Sequence, residues 1–160
     1  MRRYLFDEIM QATTSIQEGT PAPEFTSLLT TGDVVKLNDY KGKKVVLYFY
    51  PKDDTPGCTI EACGLRDQYE KIHELGAEVL GVSVDNVVSH QHFSQKFKLP
   101  FQLVADSDKS ITKAYGVLNE KSNMARRVTF IIDEKGIVEK VFDPVKADAH
   151  TQQVIEALSQ

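Results

Sequence analysis

Two cysteines, Cys58 and Cys63, are the residues of this 160-residue chain best suited to covalent chemistry. Thr55 is a good N-cap residue and Pro56 a good first residue of an α-helix, so the local pattern places Cys58 in a first helical turn. The free N–H groups and the dipole at that end of a helix stabilise an anion. The pattern therefore favours a thiolate at Cys58, the form in which cysteine is a nucleophile.

Cys63 lies five residues beyond Cys58. On a regular helix this spacing separates the two Cα atoms by about 8.6 Å and turns the side chains about 140° apart. A disulfide requires Cα atoms within about 7 Å, so the two thiols can pair only after the first turns unwind. Helix ends open at low free-energy cost, and Gly64 lowers helix propensity by about 1 kcal/mol relative to alanine. We therefore expect Cys63 to reach Cys58 only after local unfolding.

A thiolate at Cys58 needs a nearby cation, because Asp53 and Asp54 in the preceding loop oppose it by like charge. We expect these loop side chains to point to solvent, which weakens the repulsion. The cation must then come from elsewhere in the fold, and Arg126 and Arg127 are the candidates. Neighbouring residues of a strand face opposite sides, so alternation alone does not decide between them.

Other functions are compatible with two neighbouring cysteines. Cys58 can be a small buried hydrophobic residue, since free cysteine is among the most buried residue types. A protein dithiol–disulfide oxidoreductase is disfavoured because it requires Cys-x-x-Cys, whereas four residues intervene here. A zinc module is disfavoured because the histidine spacings do not match zinc motifs, which predicts solvent-exposed surface residues at His73, His90, His92 and His150. A non-catalytic redox sensor that uses the same thiols remains compatible with the sequence.

Strands that alternate with helices must position these residues. The continuous apolar run at 45–50 predicts a fully buried strand. Apolar residues spaced three or four apart from Cys58 to Ile72 predict one helix that ends near Gly76. Further strands are predicted at 78–84 and 101–104, a helix at 89–98, a β-hairpin at 128–132 and 137–142, and a closing helix at about 149–158. The pattern indicates an α/β fold, with a central mixed β-sheet flanked by α-helices.

Length and composition indicate a single soluble globular domain. Hydrophobic residues make up 41% and charged residues 26% of the chain, which is ordinary for a folded protein. The net charge of −4 argues against nucleic acid or an anionic membrane as partner. No apolar run approaches the roughly 20 residues of a membrane-spanning helix. Residues 1–18 are predicted to form an N-terminal extension, with a short apolar face made by Leu5, Phe6, Ile9 and Met10, and residues 19–160 the domain.

The N-terminal segment also bears on the expected compartment. Asp7 and Glu8 interrupt it, so it has neither the apolar core of a secretory signal nor the acid-poor composition of a transit peptide. Two cysteines are too few for the disulfide framework of a small secreted protein. We expect a cytoplasmic protein.

The segment around Cys58 resembles the active-site motif of the peroxiredoxins, Pro51-x-x-x-Thr55-x-x-Cys58. Its continuation as far as Cys63 is similar to the bacterioferritin-comigratory, or Q-type, branch of that family, in which a resolving cysteine follows five residues downstream. The resemblance extends over about 140 residues, from Gly19 to the closing helix, and leaves only the N-terminal extension outside it. It implies a thioredoxin-like fold.

The resemblance implies a thioredoxin-dependent peroxidase that reduces hydrogen peroxide and organic hydroperoxides. Cys58 would be the peroxidatic and Cys63 the resolving cysteine. The two would form an intrachain disulfide that thioredoxin or a similar dithiol protein reopens. Antioxidant defence, cell redox homeostasis and a monomer or weak dimer are implied as well, with no metal or organic cofactor.

The same resemblance assigns the other site residues. Thr55 and Arg127 would position the peroxide, and Pro51 would shield the site. Arg127 is preferred to Arg126 because the family's arginine lies two residues before the threonine of its strand. The Thr55 hydroxyl, the Cys58 backbone N–H and the Arg127 guanidinium would donate hydrogen bonds that strengthen in the transition state. Glu61 is kept outside the catalytic set, since an exposed acid in a first helical turn explains it equally well.

Overall fold

The computed structural model describes residues 13–160. Its strands are β1 (Thr26–Leu29), β2 (Val34–Lys36), β3 (Lys44–Phe49), β4 (Ala77–Ser83), β5 (Gln102–Ala105), β6 (Leu118–Asn119), β7 (Met124–Ala125), β8 (Val128–Ile132) and β9 (Val138–Phe142). Its helices are α1 (Pro56–Asp67), α2 (Tyr69–Glu74), α3 (Val87–Phe97), α4 (Ser110–Ala114) and α5 (His150–Leu158), and Leu37–Tyr40 forms a 3-10 turn. The predicted apolar face of Leu5, Phe6, Ile9 and Met10 lies outside the described residues. No helix within 13–160 has the length and apolar character needed to cross a membrane.

A seven-stranded sheet forms the centre of the fold, in the order β2-β1-β5-β4-β3-β8-β9. β3, β4 and β5 are parallel neighbours, β8 runs antiparallel to β3, and β9 completes the predicted hairpin with β8. This arrangement confirms the predicted mixed sheet flanked by helices. The end of β3 pairs with the start of β8, Phe49 opposite Val128. The loop after β3 and the residues just before β8 therefore meet at one edge of the sheet.

β3 is buried on both faces, as its apolar run predicts. Its odd-numbered residues at 45–49 pack into one apolar cluster. Val46, Tyr48 and the adjoining Tyr50 pack into a second cluster, which includes Cys58. Because the strand has no solvent-facing side, its position is fixed between the two layers of the fold.

The helix predicted from Cys58 to near Gly76 is two helices, α1 and α2, which meet at Gln68. Gln68 leaves the helical conformation, with φ −110° and ψ 13°. Beyond this break, Tyr69 at the start of α2 donates a hydrogen bond from its hydroxyl to Glu78 of β4 at 2.8 Å. The spacing of apolar residues predicted one continuous helix. Packing against the sheet divides it into two.

Residues 13–18 are tied to the body of the fold. The Thr14 N–H donates to Asp143 Oδ2 at 2.6 Å, and the Thr14 hydroxyl donates to the Tyr115 carbonyl at 2.5 Å. Arg126 donates to the same carboxylate from Nη1, 2.7 Å from Asp143 Oδ1. Arg126 therefore binds the same carboxylate that holds the segment before Gly19.

Candidate active site

Cys58 lies in the first turn of α1, where the capping pattern predicts it. Thr55 occupies the N-cap position with an extended backbone, and Pro56 is the first helical residue. The Cys58 side chain is only 1% exposed. The Thr55 hydroxyl does not cap the helix and instead donates to the Lys52 carbonyl at 2.8 Å. The unpaired N–H groups of the first turn are therefore left to face an anion at this end of the helix.

Arg127 supplies the cation that the loop lacks. It directly precedes β8, and its Nη1 lies 3.6 Å from Cys58 Sγ and 2.8 Å from Glu61 Oε1. Burial alone lowers the pKa of Arg127, but the charges of Glu61 and Cys58 outweigh that effect and raise it above its ordinary value. The guanidinium is thus a fixed positive charge that bridges the thiol and a carboxylate. Its neighbour Arg126 points away and pairs with Asp143.

Glu61, which sequence reasoning left outside the site, is a fully buried part of it. Its second oxygen, Oε2, lies 2.9 Å from Nδ1 of His150. Glu61 follows Cys58 by three residues, a spacing that puts both on one side of a helix. That spacing is the signal that sequence reasoning did not use.

The prediction that all four histidines are exposed is wrong for two of them. His73 and His92 are exposed, but His90 and His150 are fully buried. Each buried histidine lies on the apolar face of its helix: His90 precedes the buried Phe93 by three residues, and His150 precedes the buried Val154 by four. Both rings have polar partners, which allows a histidine to occupy such a face.

The two loop aspartates do not share one environment. Asp54 is exposed and pairs with Lys96 at 2.8 Å. Asp53, contrary to the expectation that it points to solvent, is buried, and its Oδ2 lies 2.7 Å from His90 Nδ1. Tyr50 also donates to the Asp53 carboxylate, at 2.6 Å. The Asp53 carboxylate is thereby held by hydrogen bonds to Tyr50 and His90.

His90 anchors this network from α3. Its Nε2 lies 3.0 Å from the carbonyl oxygen of Val104, and its Nδ1 faces Asp53. Both ring nitrogens therefore have an oxygen partner. The loop is also held through its backbone, because the Asp53 N–H donates to Asp85 Oδ2 at 2.9 Å. These bonds fix the loop that leads into Cys58.

Neither cysteine takes part in a cluster of metal-ligating side chains within residues 13–160. Asp53, Asp85 and His90 do form such a group, their candidate ligand atoms lying within 4.8 Å of one another. Asp85 Oδ2 already accepts hydrogen bonds from the Ser83 hydroxyl and the Asp53 N–H. The group is explained by the hydrogen bonds that hold the loop, and it lends no support to a zinc module of cysteines and histidines.

Cys63 and Pro51 complete the predicted set. Cys63 is half-buried on the same uninterrupted helix as Cys58, and both thiols are free. Pro51 lies two residues beyond the end of β3 and is half-buried at the start of the loop. The structure therefore gathers Cys58, Thr55 and Arg127 at one edge of the sheet, with Pro51 at the entrance to the loop and Cys63 further along α1.

Gly57 allows the guanidinium to approach the helix. A Cβ atom at this position would lie 2.9 Å from Arg127 Nη2 and 3.6 Å from Arg127 Cζ. Gly64 has a similar role on the other side of α1, where a Cβ would collide with the Thr151 hydroxyl of α5. Both glycines are thus explained by close contacts in the folded state, besides the lower helix propensity noted for Gly64.

Comparison with known proteins shows the family of the chain. The model of the AhpC/TSA family matches residues 19–141. The chain is 47% identical over 150 residues to a protein named putative peroxiredoxin bcp from Coxiella burnetii, covering 90% of this chain and 99% of that protein. The chain belongs to the AhpC/TSA family. Peroxiredoxin Bcp of Bacillus subtilis is 41% identical over 150 residues, covering 90% of this chain and 96% of that one.

A solved structure supports the same placement. The crystal structure of a cysteine-to-serine mutant of PrxQ from Xylella fastidiosa aligns with a TM-score of 0.86 and 30% identity, covering 92% of this chain and 98% of that one. The chain is thus a peroxiredoxin of the Bcp and peroxiredoxin Q group, with the predicted thioredoxin-like fold. It is a thiol peroxidase, and its two cysteines are consistent with a peroxidatic and resolving pair.

The close approach at Gly57 makes a testable prediction for this peroxiredoxin. Gly57→Ala should slow the reaction with hydrogen peroxide about tenfold, equivalent to about 1.4 kcal/mol, because the methyl group displaces the Arg127 guanidinium. The free energy of unfolding should stay equal or fall slightly, because the higher helix propensity of alanine offsets part of the weakened contact between Arg127 and Glu61. Stopped-flow rates and urea unfolding measure the two effects.

A control variant separates this effect from a general change in α1. Ile60→Ala, at an exposed position of the same helix, should keep the wild-type rate with hydrogen peroxide. An unchanged rate for Gly57→Ala would show that the reaction does not depend on the close approach of Arg127 at this position.

Proposed function

We propose that Cys58 is the peroxidatic cysteine of this thiol peroxidase and that Arg127 stabilises both its thiolate and the reacting peroxide. The observation that carries this proposal is the Arg127 Nη1 atom, 3.6 Å from Cys58 Sγ at the first turn of α1. A cation and a helix N-terminus converge on one buried thiol, and both favour its anionic form. Hydrogen peroxide and organic hydroperoxides are the substrates.

The first step oxidises the sulfur and cleaves the peroxide. The Cys58 thiolate attacks the terminal oxygen in line, an S–O bond forms and the O–O bond breaks. The sulfur loses two electrons and becomes a sulfenic acid, while the departing oxygen takes up a proton and leaves as water or an alcohol. Negative charge develops on the O–O unit, so the Arg127 guanidinium and the Cys58 backbone N–H bind the transition state more tightly than the ground state.

Thr55 orients the peroxide by accepting a hydrogen bond. Its hydroxyl proton is already donated to the Lys52 carbonyl, so the oxygen retains lone pairs for the O–H of the peroxide. This assignment replaces the expectation from sequence that Thr55 donates. Pro51, half-buried at the start of the loop, shields the site from bulk water.

The second step resolves the sulfenic acid. Cys63 attacks Cys58, an S–S bond forms, and the sulfenic oxygen leaves as water. Thioredoxin or a similar dithiol protein then reduces the intrachain disulfide by thiol–disulfide exchange. The two free thiols on one helix support this route, and Cys63 reaches Cys58 when the first turns of α1 open.

We further propose that residues 19–160 form the catalytic domain, with residues 1–18 as an N-terminal extension. The family model begins at residue 19, which supports the boundary. The protein is proposed to act in antioxidant defence and redox homeostasis of the cytoplasm as a monomer or weak dimer.

A coupled assay tests the whole cycle. Peroxide, the protein, thioredoxin, thioredoxin reductase and NADPH are combined, and NADPH oxidation is followed. We expect many turnovers per chain, because Cys63 returns Cys58 to a form that thioredoxin reduces. Consumption of a single equivalent of peroxide without NADPH oxidation would favour a redox sensor. Turnover with another dithiol protein alone would change only the assigned reductant.

A further inference from the structure

A line of buried polar groups runs from Cys58 to the last helix. Arg127 Nη1 contacts both Cys58 Sγ and Glu61 Oε1. The other oxygen of Glu61 lies 2.9 Å from His150 Nδ1, and His150 Nε2 lies 2.7 Å from the Thr129 hydroxyl. Glu61, His150 and Thr129 are fully buried. Water therefore does not compete for the contacts beyond Arg127.

Glu61 Oε2 and His150 Nδ1 are paired only with each other. Within the described part of the chain, neither atom forms a hydrogen bond, either to the other or to any further group. The two atoms lie 2.9 Å apart, which is within ion-pair distance. A carboxylate oxygen only accepts, so a hydrogen bond between the two atoms, which a small rotation of the ring would complete at this distance, needs a proton on Nδ1. The Thr129 hydroxyl can then donate to Nε2.

The orientation of the Glu61 carboxylate matters for the thiol. The last torsion of a glutamate side chain is broad, so a carboxylate held at one oxygen can still rotate. Rotation would move Oε1, the atom that holds Arg127 Nη1 at 2.8 Å. A donor on the second oxygen removes this freedom, and His150 is placed to supply it.

We propose that His150 is a positioning residue for the peroxidase reaction. Its Nδ1–H fixes the carboxylate of Glu61, which fixes the Arg127 guanidinium against Cys58 and the bound peroxide. The inference rests on the proposed roles of Cys58 and Arg127. His150 acts through Glu61, while Thr129 holds the opposite side of the ring.

Two amide variants separate positioning from packing. Asparagine places its Nδ2 where the imidazole has Nδ1, so His150→Asn keeps a donor towards Glu61 and loses the contact with Thr129. Glutamine places its Nε2 where the imidazole has Nε2, so His150→Gln keeps the contact with Thr129 and loses the donor towards Glu61. Glutamine is also closer to histidine in size. A packing role and a positioning role therefore predict opposite orders of activity.

The measured quantity is the rate constant of the Cys58 thiolate with hydrogen peroxide. This rate constant is obtained by stopped flow in a Cys63→Ser background. It is then divided by the fraction of Cys58 that is thiolate, which is measured from the ultraviolet absorbance of the same protein. Division by this fraction removes any change in thiol ionisation. We expect His150→Asn to stay within about threefold of the background protein and His150→Gln to fall by about 10- to 100-fold, by analogy with the loss of residues that orient metal ligands.

Each outcome bears on a defined claim. Equal losses in both variants, or a larger loss in His150→Asn, overturn the role of His150, because packing then suffices. A wild-type protein that consumes no peroxide, or a Cys58→Ser protein that does, overturns the proposed function and this inference with it. An active wild type with the expected order of variants supports both.

A measurement on the unaltered protein covers the case in which a variant does not fold. The ring nitrogens of His150 are observed by NMR in reduced wild-type protein. We expect a proton on Nδ1, directed at Glu61. A proton confined to Nε2 overturns the proposal, because Nδ1 would then present a lone pair to the carboxylate.

Discussion

A Cys58→Ser protein should reduce hydrogen peroxide at least about 10⁴-fold more slowly than the wild type, the scale of loss when a catalytic nucleophile is removed. The serine hydroxyl is nearly isosteric with the thiol but is not an anion at neutral pH. The first turn of α1 and Arg127 then have no charge to stabilise. Cys58 packs in an apolar cluster, and the smaller oxygen should leave the fold intact.

Cys63→Ser is the matched control, since it makes the same substitution on the same helix. It should consume about one equivalent of peroxide per chain and then stop with Cys58 as a sulfenic acid. Intact-mass measurement after stoichiometric peroxide should show the added oxygen atom. Full thioredoxin-driven turnover by Cys63→Ser would contradict the resolving role, and turnover by Cys58→Ser would contradict the peroxidatic role.

Formation of the disulfide between Cys58 and Cys63 should unwind α1 over about residues 55–65. The helix runs without a break through both cysteines, so their Cα atoms are separated by about 8.6 Å, from helical geometry. That distance exceeds the limit of about 7 Å for a disulfide. The oxidised protein must therefore differ from the reduced one in this segment.

Unwinding of α1 also breaks the contacts of Glu61. Glu61 lies between the two cysteines, so opening this segment draws it away from Arg127 and His150, its partners at 2.8 and 2.9 Å. Amide hydrogen exchange across residues 55–65 should become faster by orders of magnitude in the disulfide form. Helical circular dichroism should fall by two or three turns' worth.

The oxidised protein should also be less stable to urea than the reduced one. The short cross-link restricts the unfolded chain by about 2 kcal/mol. The packing and the helical hydrogen bonds that α1 loses on unwinding cost more than that gain. If exchange across 55–65 is the same in the dithiol and disulfide forms, the disulfide joins Cys58 to another chain, and the intramolecular mechanism has to be abandoned.

The surroundings of Cys58 within α1 could be predicted because they depend on neighbouring residues. Thr55, Pro56 and the apolar spacing that follows define the start of the helix locally. The strands with long apolar runs, β3 and β4, were predictable for the same reason. β1 and β2 were not predicted, since they have only four and three residues and give almost no periodic signal.

The partners of Cys58 could not be derived from local pattern. The alternation of side chains along a strand does not decide whether Arg126 or Arg127 faces Cys58. The resemblance to a family favoured Arg127. The choice between them is made by tertiary contacts, since Asp143 holds one and Glu61 the other. The burial of His90 and His150 was available from the apolar faces of their helices, but their charged partners come from a distant loop and a distant helix.

Cys58 and Arg127 are separated by 69 residues of sequence. During protein synthesis, Arg127 is therefore added to the chain some seconds after Cys58. At the 5–20 residues per second of protein synthesis, about 3–14 s pass between the two residues. During that interval the nascent thiol has no guanidinium beside it and no β8 to hold one. On the proposed roles of Cys58 and Arg127, we therefore expect rapid reaction with peroxide only from the finished chain, and a cysteine of ordinary reactivity in an unfinished one.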